Sequence, residues 1–363
     1  MNALYKLLTI GIVIVLTCCE SKTQLPPEPE ALYEQYKEGV VLVVNQYYYE
    51  VEFGEKVVFY SPSSEQKFFF SLEEVLNNPS MASGTGFFIS ETGEIITNRH
   101  VVLPGETETT DDLIEFKRIL VEVFNEKVIA YSDTMIFLRN YFNENYDTLS
   151  QESIDYLKSE YARFDDLYEE SIEVKAKIDH IDISEISPKI QNVVLGIAYH
   201  DTYVTEYDDL HECVLIRSSE DPTVDLAMIQ TKDKLIRKRP ELIFNFSDNN
   251  PNVQSNPEKH KERDIRSPVH VNDAVFMIGY NRGFALANTK NGIQCQFTKG
   301  EVSQASDGQR ILYTIPTLEG SSGSPVVDKW GNLVGVNFSK LKDSQNFNFA
   351  IPVNELKKFY EKE

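Results

Sequence analysis

The stretch GSSGSPVVDKWGNLVGVNF, residues 320–338, joins a glycine and serine turn to two short apolar runs. Glycine and serine are ordinary loop punctuation, so the turn alone fits a plain strand connection or a serine held out for attack on a carbonyl. The remainder of the chain decides between them. A serine hydroxyl is inert at neutral pH, and it needs an imidazole to take its proton and a carboxylate to orient that imidazole.

Both partners can be sought by position. The chain has six histidines: His100, His180, His200, His211, His260 and His270. Five fall in linking segments, polar loops or a helical stretch, where a lone histidine reads as a solvated side chain. His100 differs because it closes GTGFFISETGEIITNRHVV (84–102), a hairpin that brings the chain to the end of an apolar strand. A base must be held rigidly, and a strand end does that. In DPTVDLAMIQ (221–230), Asp225 stands between Val224 and Leu226 at the start of another apolar run. A carboxylate in that setting is costly unless hydrogen-bonded, which implies a partner. Asp221 is the rival, but it precedes Pro222 and reads as a turn residue. With Ser322 as nucleophile the order is His, Asp, Ser. An α/β-hydrolase elbow would need glycine two residues after the serine, where this chain has Ser324.

Taken together, GTGFFISETGEIITNRHVV, DPTVDLAMIQ, GEVSQAS (300–306), GSSGSPVVDKWGNLVGVNF and NFAIPVNEL (348–356) resemble the trypsin-fold serine peptidases, and most of all their bacterial HtrA-type branch. The resemblance covers about residues 33–103 and 189–358. It implies a mostly β protein with two six-stranded β-barrels of the chymotrypsin-like fold. His100 would be the general base, Asp225 its orienting carboxylate and Ser322 the nucleophile, with an oxyanion hole formed by the N–H groups of Gly320 and Ser322. Glycine at 320 would let two donors converge, and Gly323 would keep bulk away from the serine. No cofactor is implied. TIPTLEG (314–320) offers no acid where a trypsin-like enzyme binds a basic side chain, which points to a small or medium apolar one. No peptide-binding PDZ domain is expected after the second barrel.

The wider text agrees with a β protein. Short β-branched and aromatic runs separated by polar turns follow one another from LYEQYKEGVVLVVN onward. The exception lies between about 104 and 188, where apolar residues recur at three- and four-residue steps from Leu113 to Tyr131 and from Ile154 to Ile172. TTDDL and SQES supply capping starts, so a helical hairpin is expected as an insertion in the first half. The domain reading is a first barrel over 31–247 with that insertion, a linker loop over 248–268, and a second barrel with a C-terminal segment over 269–363.

Composition narrows the partners. A formal charge of −22 over 363 residues repels phosphate backbones, so nucleic acid is excluded as a partner. LLTIGIVIVLT (7–17) is short for a membrane span and sits where an export signal belongs; CCESKTQLPPEPE then begins a Pro-rich tether. This resembles a bacterial lipoprotein signal over 1–19 with a tether over 20–30, and Cys18 or Cys19 as the lipid attachment point. An exported, membrane-anchored protein of the cell envelope is the expectation. Cys213 and Cys295 read as two separate buried thiols; a bridge between them would contribute up to about 4 kcal/mol. No Cys/His spacing suits a metal, and HEC (211–213) stands alone. The expected function is therefore a serine endopeptidase acting on polypeptides through an acyl-enzyme, and the resemblance admits a homo-oligomer. The alternative is an inactive trypsin-fold scaffold that binds or senses through the helical insertion.

Overall fold

The structure is a computed structural model and describes residues 25–362 apart from 54–55, 66, 106–109, 187, 239–242, 245–268, 305 and 341–347. The expected lipoprotein segment with Cys18 and Cys19, the linker loop and His260 lie outside the described residues.

Runs of β-branched and aromatic residues build the first barrel, as their fit to a pleated surface favours. Its strands are β1 (Val40–Phe53), β4 (Ser80–Phe88), β5 (Glu94–Thr97), β6 (Pro188–Tyr199), β7 (His211–Ser218) and β8 (Ala227–Thr231). They close in the order β1-β4-β5-β8-β7-β6 through pairing of β6 with β1. A ribbon of β2 (Lys56–Tyr60) and β3 (Phe68–Phe69) extends from the outer half of β1. The second barrel closes in the order β12-β13-β16-β15-β14-β9. Its strands are β9 (Ala274–Gly279), β12 (Gln296–Gln304), β13 (Ile311–Tyr313), β14 (Pro325–Asp328), β15 (Leu333–Lys340) and β16 (Asn348–Pro352). The small pair β10 (Asn288–Thr289) and β11 (Gly292–Ile293) lies between β9 and β12. Two closed six-stranded antiparallel barrels are what the chymotrypsin-like expectation requires.

Seven helices among the described residues decorate the barrels: α1 (Pro29–Tyr36), α2 (Leu72–Leu76), α3 (Arg99–Val102), α4 (Thr110–Asn145), α5 (Gln151–His180), α6 (Gly283–Ala287) and α7 (Val353–Glu361). The helical hairpin is α4 and α5, of 36 and 30 residues, longer than the periodic stretches suggested. At 1.5 Å per residue these helices run about 54 and 45 Å. Ser150 caps α5, its Oγ accepting the Ser153 N–H at 3.2 Å. Only the root of the hairpin is buried. Leu120, Phe124, Val174 and Ile178 are fully enclosed against Tyr49, Val58, Tyr60 and Phe68 of the β1–β3 ribbon. Between residues 125 and 170 no side chain is buried.

The largest core cluster lies between the barrels. Val40, Leu42 and Phe87 meet Ile278, Tyr280 and Val336 there, joined by Leu32 and Tyr36 of α1 and by Leu356 and Phe359 of α7. The chain ends cross over. Helix α1 precedes the first barrel yet reaches the second, where Tyr36 Oη donates to the Gly331 carbonyl at 2.7 Å. Helix α7 follows the second barrel yet is gripped by Arg217 of β7, whose guanidinium donates to the Tyr360 and Lys362 carbonyls and lies over the Phe359 ring.

Candidate active site

In the antiparallel pair β5–β8, Thr97 faces Ala227, so the residues after one strand meet those before the other. His100 on the one-turn α3 and Asp225, 125 positions later, are brought together there. His100 Nδ1 lies 2.5 Å from Asp225 Oδ2, and the His100 backbone N–H donates to Asp225 Oδ1 at 3.0 Å. One carboxylate thus grips both the ring and the main chain of a single residue. A proton on Nδ1 leaves Nε2 as the accepting nitrogen. The flanking residues add to this hold: Asn98 Nδ2 donates to the Asp225 carbonyl at 2.6 Å, and the buried Arg99 donates from Nη1 to the Ser219 carbonyl at 2.7 Å. Three consecutive residues therefore fasten the segment 219–225. The rival Asp221 is a turn residue, its Oδ1 taken by the hydroxyl and N–H of Thr223 at 2.7 and 2.8 Å. Those bonds hold its carboxyl below the usual carboxylate range.

Ser322 lies in the turn between β13 and β14, flanked by Gly320 at φ +90° and Gly323 at φ +86°. Both conformations belong to the left-handed side of backbone space that favours glycine. A Cβ on Gly323 would stand 2.0 Å from the Thr85 carbonyl oxygen, and one on Gly320 2.1 Å from the Gly283 nitrogen. Strand β4 is the wall where the Ser322 and His100 segments meet. A Cβ on Gly84 would come within 2.6 Å of Val101, the residue after His100, and 3.0 Å of the Ser322 carbonyl. Among the described residues no hydrogen bond joins Ser322 Oγ to His100, whose ring bonds Asp225. Within the turn, the Ser321 N–H donates to Leu318 at 3.0 Å and the Gly323 N–H to Asn337 at 2.8 Å. The N–H groups of Gly320 and Ser322 donate to no carbonyl among the described residues.

Two other histidines correct the sequence reading. His200 and His211 are buried rather than solvated. His211 bridges Tyr199 Oη at 2.9 Å and Asp233 Oδ1 at 2.8 Å, while His200 Nδ1 accepts the Cys295 N–H across the barrel seam at 3.3 Å. The signal was present in HECVLIRS, whose alternation puts His211, Cys213 and Leu215 on one face of β7. His180 and His270 are exposed, as expected. Cys213 and Cys295 are free and buried, and burial pushes both thiols up to about 12. Among the described residues no cluster of three His, Cys, Asp or Glu could hold a metal ion, and no helix is long and apolar enough to cross a membrane.

Part of the chain is similar to known proteins. Residues 192–336 match the model of the trypsin-like peptidase domain. This match and the two closed six-stranded barrels give the chain a trypsin-like fold. The matched span begins after the hairpin and contains Asp225 and Ser322, while His100 lies upstream of it. Part of the chain is 31% identical over 101 residues to an uncharacterized protein, y4bJ, of Sinorhizobium fredii, covering 24% of this chain and 15% of that protein. This chain thus spans a small fraction of that relative's length. The crystal structure of the serine endoprotease from Yersinia pestis aligns with a TM-score of 0.44 at 15% identity, over 93% of this chain and 67% of that one.

Proposed function

We propose that the protein is a serine endopeptidase in which Ser322, His100 and Asp225 act as nucleophile, general base and orienting carboxylate. The observation that carries this reading is the pair of hydrogen bonds that Asp225 makes to His100, beside Gly84 of β4, where Val101 and the Ser322 carbonyl converge. In the proposed cycle Ser322 Oγ attacks the substrate carbonyl as its proton passes to His100 Nε2. The tetrahedral oxyanion takes hydrogen bonds from the N–H groups of Gly320 and Ser322, each such donor being worth on the order of a hundredfold in rate. The imidazolium then protonates the leaving amine, and water, deprotonated by the same ring, releases the acyl group from Ser322.

Attachment to the envelope through Cys18 or Cys19 belongs to the same proposal and is supported by the sequence around them. Mass spectrometry of the mature N-terminus tests it, with a diacylglycerol-modified cysteine as the expected result. The peptidase reading is tested by a fluorophosphonate probe on the full chain. Wild type is expected to be labelled and Ser322→Ala to be silent. A wild type that stays unlabelled at neutral pH favours the inactive scaffold.

A further inference from the structure

The oxyanion turn is gripped from the other barrel by one side chain. Thr85, in the middle of GTG on β4, is fully buried. Its N–H donates to the Ser322 carbonyl at 2.7 Å, and its Oγ1 lies 2.9 Å from both the Gly320 carbonyl and the Tyr280 nitrogen. The Tyr280 N–H can only donate, so the hydroxyl accepts from it and commits its single proton to Gly320. The Thr85 carbonyl in turn accepts from Thr97 Oγ1 at 2.8 Å.

Those bonds complete a series. The Glu319 carbonyl accepts the Arg282 N–H at 2.5 Å, the Ser321 carbonyl accepts Asn337 Nδ2 at 2.8 Å, and Thr85 holds the two carbonyls at 320 and 322. Every carbonyl from 319 to 322 is therefore fixed. In a trans peptide each N–H lies opposite the carbonyl of the residue before it, so the grips on 319 and 321 aim the N–H groups of Gly320 and Ser322, and the grips on 320 and 322 lock the planes that directly follow each of them and fix where the turn sits. The grips on 319 and 321 come from within the second barrel. Thr85 supplies the remaining two from the barrel that carries His100.

We propose that Thr85 is a positioning residue: its hydroxyl sets the oxyanion turn in register with the base-bearing barrel. The proposal rests on the peptidase reading above. Thr85→Val keeps the volume and the N–H bond to Ser322 but removes the hydroxyl proton, whereas Thr85→Ser keeps the hydroxyl. The experiment measures kcat and KM on an activated ester, the affinity of a peptide boronic acid and the melting temperature for the full chain and both variants. In Thr85→Val, kcat is expected to fall about tenfold to a hundredfold with KM within about threefold, and boronate affinity to fall in proportion to kcat/KM. Thr85→Ser is expected to restore kcat to within about threefold of wild type. A Thr85→Val enzyme with wild-type kcat overturns the proposal, as does a Thr85→Ser enzyme no better than Val. A rise in ester KM as large as the loss of boronate affinity, with kcat unchanged, would also overturn it, since that is a general loss of binding. Should the Val variant fail to fold, Thr85→Ala is read by the same outcomes. A wild type inert to ester and fluorophosphonate sinks the peptidase reading and this proposal together; an active wild type with an indifferent Thr85→Val sinks this proposal alone.

Discussion

Gly323 has no room for a side chain, because its backbone is in the left-handed region and the space a methyl would need is filled by the Thr85 carbonyl oxygen. Gly323→Ala is expected to lose at least about 2 kcal/mol of stability and to abolish fluorophosphonate labelling, read by denaturant unfolding and gel fluorescence. This residue and its neighbours also show what a sequence can reveal at this scale. His100 and Asp225 were legible because each sits at the end of an apolar run, where a polar residue calls for an explanation. Thr85, Asn98 and Arg99 were not, because their partners lie between 120 and 235 positions away and nothing local marks them. GTG held a partial signal, since Gly84 and Gly86, two apart, lie on one face of the strand and mark it as closely approached, with Thr85 on the other. His200 and His211 were misread because polar neighbours in sequence outweighed the strand alternation that buries them.

At the scale of elements, the hairpin divides into a root and an arm. The periodicity announced both helices and the Ser150 cap, but it gave no sign that, among the described side chains, enclosure would be confined to Leu120 and Phe124 of α4 and the last turns of α5. That follows from the outward reach of β1 and the β2–β3 ribbon, a tertiary fact. Phe124→Ala is expected to cost about 3–5 kcal/mol, whereas Phe137→Ser, on the exposed arm, should stay within about 0.5 kcal/mol, both by urea unfolding. Shortening the arm between residues 128 and 165 with a tight turn should leave hydrolysis of small esters unchanged. Removing 108–184 outright is expected to destabilise the protein, since Tyr49, Val58 and Phe68 lose the cover of Leu120, Phe124, Val174 and Ile178. Tyr49 also donates to the Pro104 carbonyl at 2.8 Å, four residues beyond His100, so damage at the root arrives close to that residue.

For the whole molecule, the seam between barrels carries a pH dependence. Burial lowers the pKa of His200 from the ordinary value of 6.5, partly opposed by Asp201 and Glu38, with Lys37 and Lys238 adding to the lowering. The unfolded chain then binds a proton near pH 6.5 that the folded state refuses, so stability falls as pH drops from there towards the lower folded value. His200→Gln is expected to flatten that limb between pH 7 and 5 in urea titrations; an unchanged slope would assign the acid loss to carboxylates elsewhere. The two-barrel architecture was readable from the strand runs and motif order, but the crossing of α1 and α7 was not, because neither helix carries a mark of which barrel it will meet.

That crossing has a thermodynamic corollary. Each half lends an end to the other, so neither is a separable folding unit, and calorimetry should record one transition instead of two. Arg217→Ala, which frees α7 from β7, should broaden or split that peak before it touches the chemistry. The proposed catalytic groups, His100 and Asp225 from one half and Ser322 from the other, are then guarded by an all-or-none melting of the entire chain, and a half-unfolded form with a loose Ser322 turn is scarcely populated at equilibrium.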